Sequence, residues 1–226
     1  MAPILISSSP ESQNLLQAGV EELGLSLTSD IFFKFLLYLE ELQKWNKQIN
    51  LTALKKTSEI IRKHFLDSLA LYTWIKDFDN LLDLGTGAGF PGLPLKLVLP
   101  ALDLTLIEST GKKVAFLGYL IARLEISGVK VNQCYMTPKL AQSRGPCFQA
   151  IVSRAAFPLS QFMTLAAPML LPGGLLLAMK SVRLSEEEWQ EAVNCAPGAG
   201  LQAPQRHPYL LPLTGEPQLL IVLRRI

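Results

Sequence analysis

Apolar residues recur at steps of three and four through residues 11–49, where Ile31, Phe32, Phe35, Leu36, Leu39, Leu42 and Trp45 form one stripe between charges. That period belongs to amphipathic helix. Thr28, Ser29 or Asp30 can cap the second of two helices, and Asn50-Leu51-Thr52 breaks the pattern. A third helix is expected over 58–74. From Asn80 the texture changes to short apolar runs bounded by glycine and proline. Strands are predicted at 81–84, 102–107, 129–134, 149–153 and 175–180, with two late ones near 207–211 and 218–224. Helices fit 92–99, 112–126, 159–171 and 186–194 between them. Strand alternating with helix predicts an α/β fold: a seven-stranded, mostly parallel sheet covered on both faces. The last two strands, separated by 212–217, are close enough for an antiparallel hairpin at the sheet edge.

Length and composition narrow this picture. A chain of 226 residues, 49% apolar and 18% charged, buries an ordinary core. The helical segment 1–76 is too small and too apolar on one face to stand alone, so it is expected to pack on a sheet domain over 77–226 as one unit. The longest apolar run, 165–179, is broken by Pro168, Pro172, Gly173 and Gly174 and cannot span a bilayer. No basic flank precedes a hydrophobic segment at the start, so no signal peptide is read there. Cys134, Cys147 and Cys195 are unclustered, without zinc-ligand spacing, which points to no metal and to a reducing cytoplasm. The net charge is only +2, yet Lys44, Lys47, Lys55, Lys56, Arg62, Lys63 and His64 crowd one region. Such a cluster is either a solvated helix face or a surface that meets a polyanion.

The candidate chemistry lies after the first strand, in DLGTGAGFPG from Asp83 to Gly92. A nucleotide-triphosphate loop would need Lys and Ser/Thr after its last glycine, and Leu93 follows instead. A dinucleotide site is harder to dismiss, because Gly87 to Gly92 satisfies G-x-G-x-x-G. However, an acid beside the loop suits a pyrophosphate poorly, and proline at the helix start removes an N–H donor. S-adenosylmethionine has the opposite demand, with an ammonium and a sulfonium. The order Asp83, Gly85, Gly87, Gly89 is the methyltransferase form of such a loop. Glu108 then falls at the end of the second strand, where a carboxylate can take both ribose hydroxyls. Arg154 follows the fourth strand and either serves the site or pairs with Asp83 or Glu108. Lys180 ends the fifth strand and either reaches RNA phosphate or snorkels to solvent.

The acceptor is narrowed by what is missing. Ser153-Arg154-Ala155-Ala156 stand where exocyclic-amine methyltransferases carry N/D-P-P-Y/F, and Cys147 lies before the fourth strand rather than after it. Guanine N7 remains a good acceptor, since its lone pair carries no proton and needs no base.

Five blocks then carry a specific resemblance: WNKQINLTA from Trp45, KHFLDSLAL from Lys63, the glycine loop, ESTGKKVAFL from Glu108 and VSRAAFPL from Val152. Over nearly its whole length the chain resembles the glucose-inhibited division protein B family, bacterial 16S ribosomal RNA guanine-N7 methyltransferases. The resemblance implies a Rossmann-like methyltransferase fold, S-adenosylmethionine as cofactor and 16S RNA or the small ribosomal subunit as partner. It implies that Gly85 and Phe90 lie at the cofactor, that Met136 and Thr137 bracket the adenine, and that Arg154 orients cofactor or target base. It further implies that Asn50, His64 and Asp67 face the cleft and that Lys112 and Lys113 meet RNA phosphate. Tyr135-Met136-Thr137 replace the family's usual Arg-Ala-Glu, so a carboxylate contact to adenine is lost here. From the residues alone, His64 and Asp67 can equally tie the helices to the sheet, and Trp45 reads as core. Nothing in the sequence demands more than a monomer. Two rivals stay open: a methyltransferase for a small molecule or protein, and a non-catalytic RNA- or dinucleotide-binding protein.

Overall fold

The computed structural model describes residues 9–226; of the start read above for a signal peptide, residues 1–8 lie outside them. Helices α1 (Pro10–Glu22) and α2 (Ser29–Ile49) are capped by the hydroxyls of Ser9 and Thr28, which accept from Ser12 and Ile31 N–H. Asn50 ends α2 in the left-handed conformation, φ 51°. The third helix is not continuous. It runs as α3 (Thr57–Ile60), a wide π turn (Ile61–Leu66), α4 (Asp67–Leu69) and, after a break, α5 (Tyr72–Ile75).

The α/β part follows, with strand and helix alternating up to the last two strands. β1 (Asn80–Leu84) leads through the glycine loop to α6 (Gly92–Val98), and β2 (Asp103–Glu108) to α7 (Gly111–Arg123). β3 (Val129–Gln133) precedes α8 (Pro138–Arg144), and β4 (Phe148–Arg154) precedes α9 (Leu159–Ala166). β5 (Leu170–Lys180), α10 (Glu186–Cys195), β6 (Gln205–Leu211) and β7 (Glu216–Arg224) complete the chain. The sheet order is β3-β2-β1-β4-β5-β7-β6. The first five strands run parallel, and β7 pairs antiparallel with both β5 and β6. The expected edge hairpin is therefore present.

Alternation along the strands builds two cores. Leu81, Leu104, Leu106, Val152 and Leu177 share one buried cluster with Leu16, Phe35, Leu42, Phe65 and Phe116 of the helices. Leu82, Leu84, Ile151, Leu176 and Ile221 face the other, with Phe162 and Ala192 of α9 and α10. The N-terminal helices thus bury their stripe against the first face of the sheet. Trp45, read as core, packs its ring against Phe116 (5.6 Å) and Tyr119 (5.2 Å) of α7. No described helix is long and apolar enough to cross a membrane.

Candidate active site

The order of strands reverses between β1 and β4, and a parallel sheet opens a crevice at the carboxyl ends of its strands there. A cavity of about 590 Å³ occupies that position. Its wall is built from the ends of four strands: Leu84 to Ala88 after β1, Ile107 to Thr110 at β2, Cys134 to Met136 after β3, and Arg154, Ala156 and Phe157 after β4. His64, Thr52 and Phe90 close it from the helical side, and Lys113 reaches it from α7.

Glu108 is the best-placed acid. It is 5% exposed and accepts one hydrogen bond on each oxygen, from Gly87 N–H at 3.0 Å and from Thr110 N–H at 2.8 Å. A carboxylate offers about four lone-pair sites, so each oxygen keeps one for a ligand. The loop beside it is shaped for close approach. At Gly87, φ +62°, a Cβ would meet nothing within 4 Å, which is the cavity itself; at Gly85, φ +76°, it would strike the Ala156 methyl at 2.7 Å. A glycine loop plus a carboxylate with two free acceptors fits the ribose diol of a nucleoside that carries no phosphate, as S-adenosylmethionine requires.

Several expected residues lie elsewhere, for clear reasons. Asp83 alternates with Leu82 and Leu84, so its side chain shares the face of Leu81, beneath the loop and not on the wall. Its Oδ2 accepts from Thr86 Oγ1 (2.7 Å) and Gly92 N–H (2.8 Å), which pins the loop to the start of α6. Oδ1 is buried with no hydrogen-bond partner. Gly89, φ +100°, packs inward against Tyr38 and Leu93 rather than lining the cavity. Thr137 is the exposed N-cap of α8, while its neighbour Met136 is buried on the wall. Asn50 is an exposed helix end away from the cavity, and Thr52 stands there instead. Lys112 is exposed outside the wall that Lys113 joins. Lys180 is a clamp: its Nζ donates to Phe157 O and Glu188 Oε1, both at 2.7 Å, and Glu188 also accepts from Leu159 N–H at the start of α9.

Arg154 pairs with neither Asp83 nor Glu108. Its Nη1 donates to Lys63 O at 2.8 Å, in the π turn, and lies 3.6 Å from Asp67 Oδ2. Asp67 in turn accepts from Tyr209 Oη of β6 at 2.7 Å. Helical segment, β4 and β6 are thereby tied together, as the structural reading of Asp67 anticipated. His64 stacks on Phe90 at 4.5 Å, and its Nε2 lies 2.7 Å from Thr52 Oγ1. Thr52, Thr110 and Gln161 also line the cavity and were missed by the sequence reading, whereas Tyr135, singled out there beside Met136, joins the wall as well. Only Thr110, following Glu108, had a readable signal.

Burial dominates the titration of several groups here, and it holds the Asp67 carboxyl above the usual carboxylate range. It pushes His64 down to about 3, with the Arg154 charge adding to it, and pushes Asp83 up to about 6 against the opposing hydrogen bonds of Thr86 and Gly92. Folded His64 refuses the proton that the unfolded chain accepts below its ordinary 6.5, so its contribution is intact above 6.5 and lost as pH falls toward 3. Asp83 runs oppositely: it holds its proton up to about 6 where the unfolded carboxyl releases it near 3.8, so stability is lost as pH rises through 6. Between about pH 4 and 6 the two slopes oppose each other. In His64→Gln, urea midpoints are expected to fall more steeply than in the parent protein as pH rises from 4 to 6. Parallel pH curves for the two proteins would contradict these assignments.

The profile of the family described as rRNA small subunit methyltransferase G matches residues 32–199. The chain belongs to this family. Named ribosomal RNA small subunit methyltransferase G, the relative from Geotalea uraniireducens is 36% identical over 215 residues, covering 95% of this chain and 97% of its own. The protein of that name from Myxococcus xanthus is 40% identical over 167 residues, 74% of this chain and 77% of its own. Among solved structures, a SAM-dependent methyltransferase from Aquifex aeolicus superposes with a TM-score of 0.56 at 17% identity, covering 78% and 97% of the two chains. A precorrin-6y C5,15-methyltransferase from Geobacter metallireducens gives 0.55 at 11% identity, with 77% and 92% covered. These structures share the Rossmann-like fold. A small subunit methyltransferase G is an enzyme that uses S-adenosylmethionine and modifies ribosomal RNA. The cavity over the glycine loop carries glycines and a half-satisfied acid of the kind such a cofactor needs.

Proposed function

We propose that this enzyme transfers a methyl group to N7 of one guanine in the 16S RNA of the small ribosomal subunit. When bound, S-adenosylmethionine supplies an electrophilic methyl carried on a sulfonium. The remaining work falls to the chain. Glu108 takes the ribose hydroxyls with its free lone pairs, Gly85 and Gly87 allow the close approach, and Met136 covers the adenine. Phe90, His64 and Arg154 form the wall where the acceptor arrives, and Arg154 orients what meets it there. Asp83 and Gly89 act from beneath, by holding the loop.

One observation carries the N7 reading: the wall facing the acceptor offers neither a thiol nor a ready imidazole base. Burial keeps His64 a weak base, with a pKa of about 3. Cys147 is exposed at the entry end of β4, the opposite end of that strand from Arg154. Cys134 joins the cavity after β3, with β2 and β1 standing between it and β4. An acceptor with a proton-free lone pair needs only to be held in line at near-attack distance. Lys113 on the wall and Lys112 beside it are available to RNA phosphate. Action on ribosomal RNA puts the protein in the cytoplasm, and the cavity draws on one chain, so a monomer suffices. In the same reading the helices up to residue 76 extend the 77–226 methyltransferase unit. Nucleoside mass spectrometry of 16S RNA from cells with and without the gene tests the assignment. Loss of one 7-methylguanosine per 16S RNA is expected, and an unchanged level would sink it.

A further inference from the structure

A second cavity of about 450 Å³ adjoins the first, and His64 and Arg154 line both. Asp67 and Tyr209 also line it. Asp67 is only 8% exposed and is held in orientation by the Tyr209 hydroxyl on Oδ1. Its Oδ2 stands 3.6 Å from Arg154 Nη1, too far for a hydrogen bond. A buried carboxylate and a guanidinium therefore sit side by side on one cavity wall, each with bonding capacity left over.

That pair is complementary to one edge of one base. Guanine presents O6 as an acceptor, then N1–H and the N2 amine as donors. We infer that the second cavity receives the target guanine, with Asp67 accepting from N1–H and the N2 amine and Arg154 donating to O6. Adenine reverses both positions, offering an amine donor where guanine has O6 and a bare ring nitrogen where guanine has N1–H. The buried acceptor and the half-buried donor facing that edge would both be left unmatched, which is how polar sites reject near-isosteres. Orientation follows from the same contacts. N7 neighbours O6 on the purine, so a base whose O6 is held by Arg154 turns N7 toward the wall shared with the cofactor cavity. Asp67 is thus the residue that selects the base, and Arg154 links selection to alignment. The inference rests on the N7 methylation proposed above.

Small subunits rebuilt from 16S RNA with guanine or inosine at the modified position separate the two ideas. Inosine keeps N7, O6 and N1–H and lacks only the N2 amine. The parent enzyme is expected to methylate inosine with kcat/KM at least tenfold below guanine. Asp67→Asn is expected to lose at least tenfold on guanine and most of the guanine–inosine preference, with unchanged affinity for S-adenosylhomocysteine. A folded Asp67→Asn protein with parental kcat/KM and preference would overturn the inference. If that variant does not fold, the parental guanine-to-inosine ratio decides, and a ratio of one overturns it. A parent enzyme that methylates neither base at N7 would instead remove the proposed reaction itself.

Discussion

Replacing Phe90 by alanine is expected to destabilise the protein by about 3–5 kcal/mol, and methyl transfer should disappear with it. Phe90 is 3% exposed and sits where the glycine loop, α2, the π turn and β4 converge. Its ring stacks on Tyr38 at 5.2 Å and 6°, on His64 at 4.5 Å and 20°, and against Phe65 at 5.7 Å. The Arg154 guanidinium lies 5.2 Å from its centroid. Tyr38 adds a hydrogen bond to the loop itself, donating to Ala88 O at 2.6 Å. Removing the ring leaves a void that four fixed elements cannot close together. It also frees both residues that line the two cavities. Phe90→Leu, which keeps most of the volume, should cost markedly less stability and still impair transfer, because the faces that orient His64 and Arg154 are gone. Urea midpoints and methylation rates of both variants provide the check. Equal midpoints for Phe90→Ala and the parent would mean that the ring does not join these elements.

The aromatic column was hidden in the sequence, whereas the loop it supports was readable. DLGTGAGFPG announces a close approach because glycine adopts φ +62° and +76° without the steric cost a side chain would bring. Strand alternation was equally legible, since β1, β2 and β4 are short apolar runs ending in turn residues. Asp83 was misplaced because loop and strand were read together, whereas strand parity sends residue 83 to the face of residue 81. The π turn left no trace in spacing: one wide turn in a helix has the same residues as a straight one. It nevertheless matters, because Lys63 O in that turn accepts from Arg154. The true partners of Arg154 are 87 and 91 positions away, at Asp67 and Lys63, and no local pattern could pair them. Helix α8, PKLAQSR, was missed because seven residues whose apolar anchors are the adjacent Leu140 and Ala141 carry no period. β5 begins five residues before its apolar run, passing through Pro172-Gly173-Gly174, which the sequence reading took for a turn. A register shift between Phe148 and Ala150 absorbs the extra residues, so the glycine pair lies within the strand rather than before it.

Glu108→Ala is expected to weaken binding of S-adenosylhomocysteine by about 1–3 kcal/mol, which corresponds to roughly 5–150-fold in dissociation constant. Two losses contribute, and they can be told apart. The carboxylate braces the site by accepting from Gly87 and Thr110 N–H, and its remaining lone pairs are those we assign to the ribose. Glu108→Gln keeps one acceptor oxygen but turns an N–H₂ toward one of those two backbone donors, so the brace is broken on one side. If bracing were the whole role, a 2′-deoxy analogue of the ligand would lose the same affinity against parent and variant. If the ribose is held directly, the analogue should bind the parent more weakly than the natural ligand, while Glu108→Ala should scarcely distinguish the two. Calorimetry on the four combinations yields the coupling without assuming additivity. A coupling of zero would leave Glu108 as a loop brace alone, and an unaffected dissociation constant in Glu108→Ala would remove it from the site.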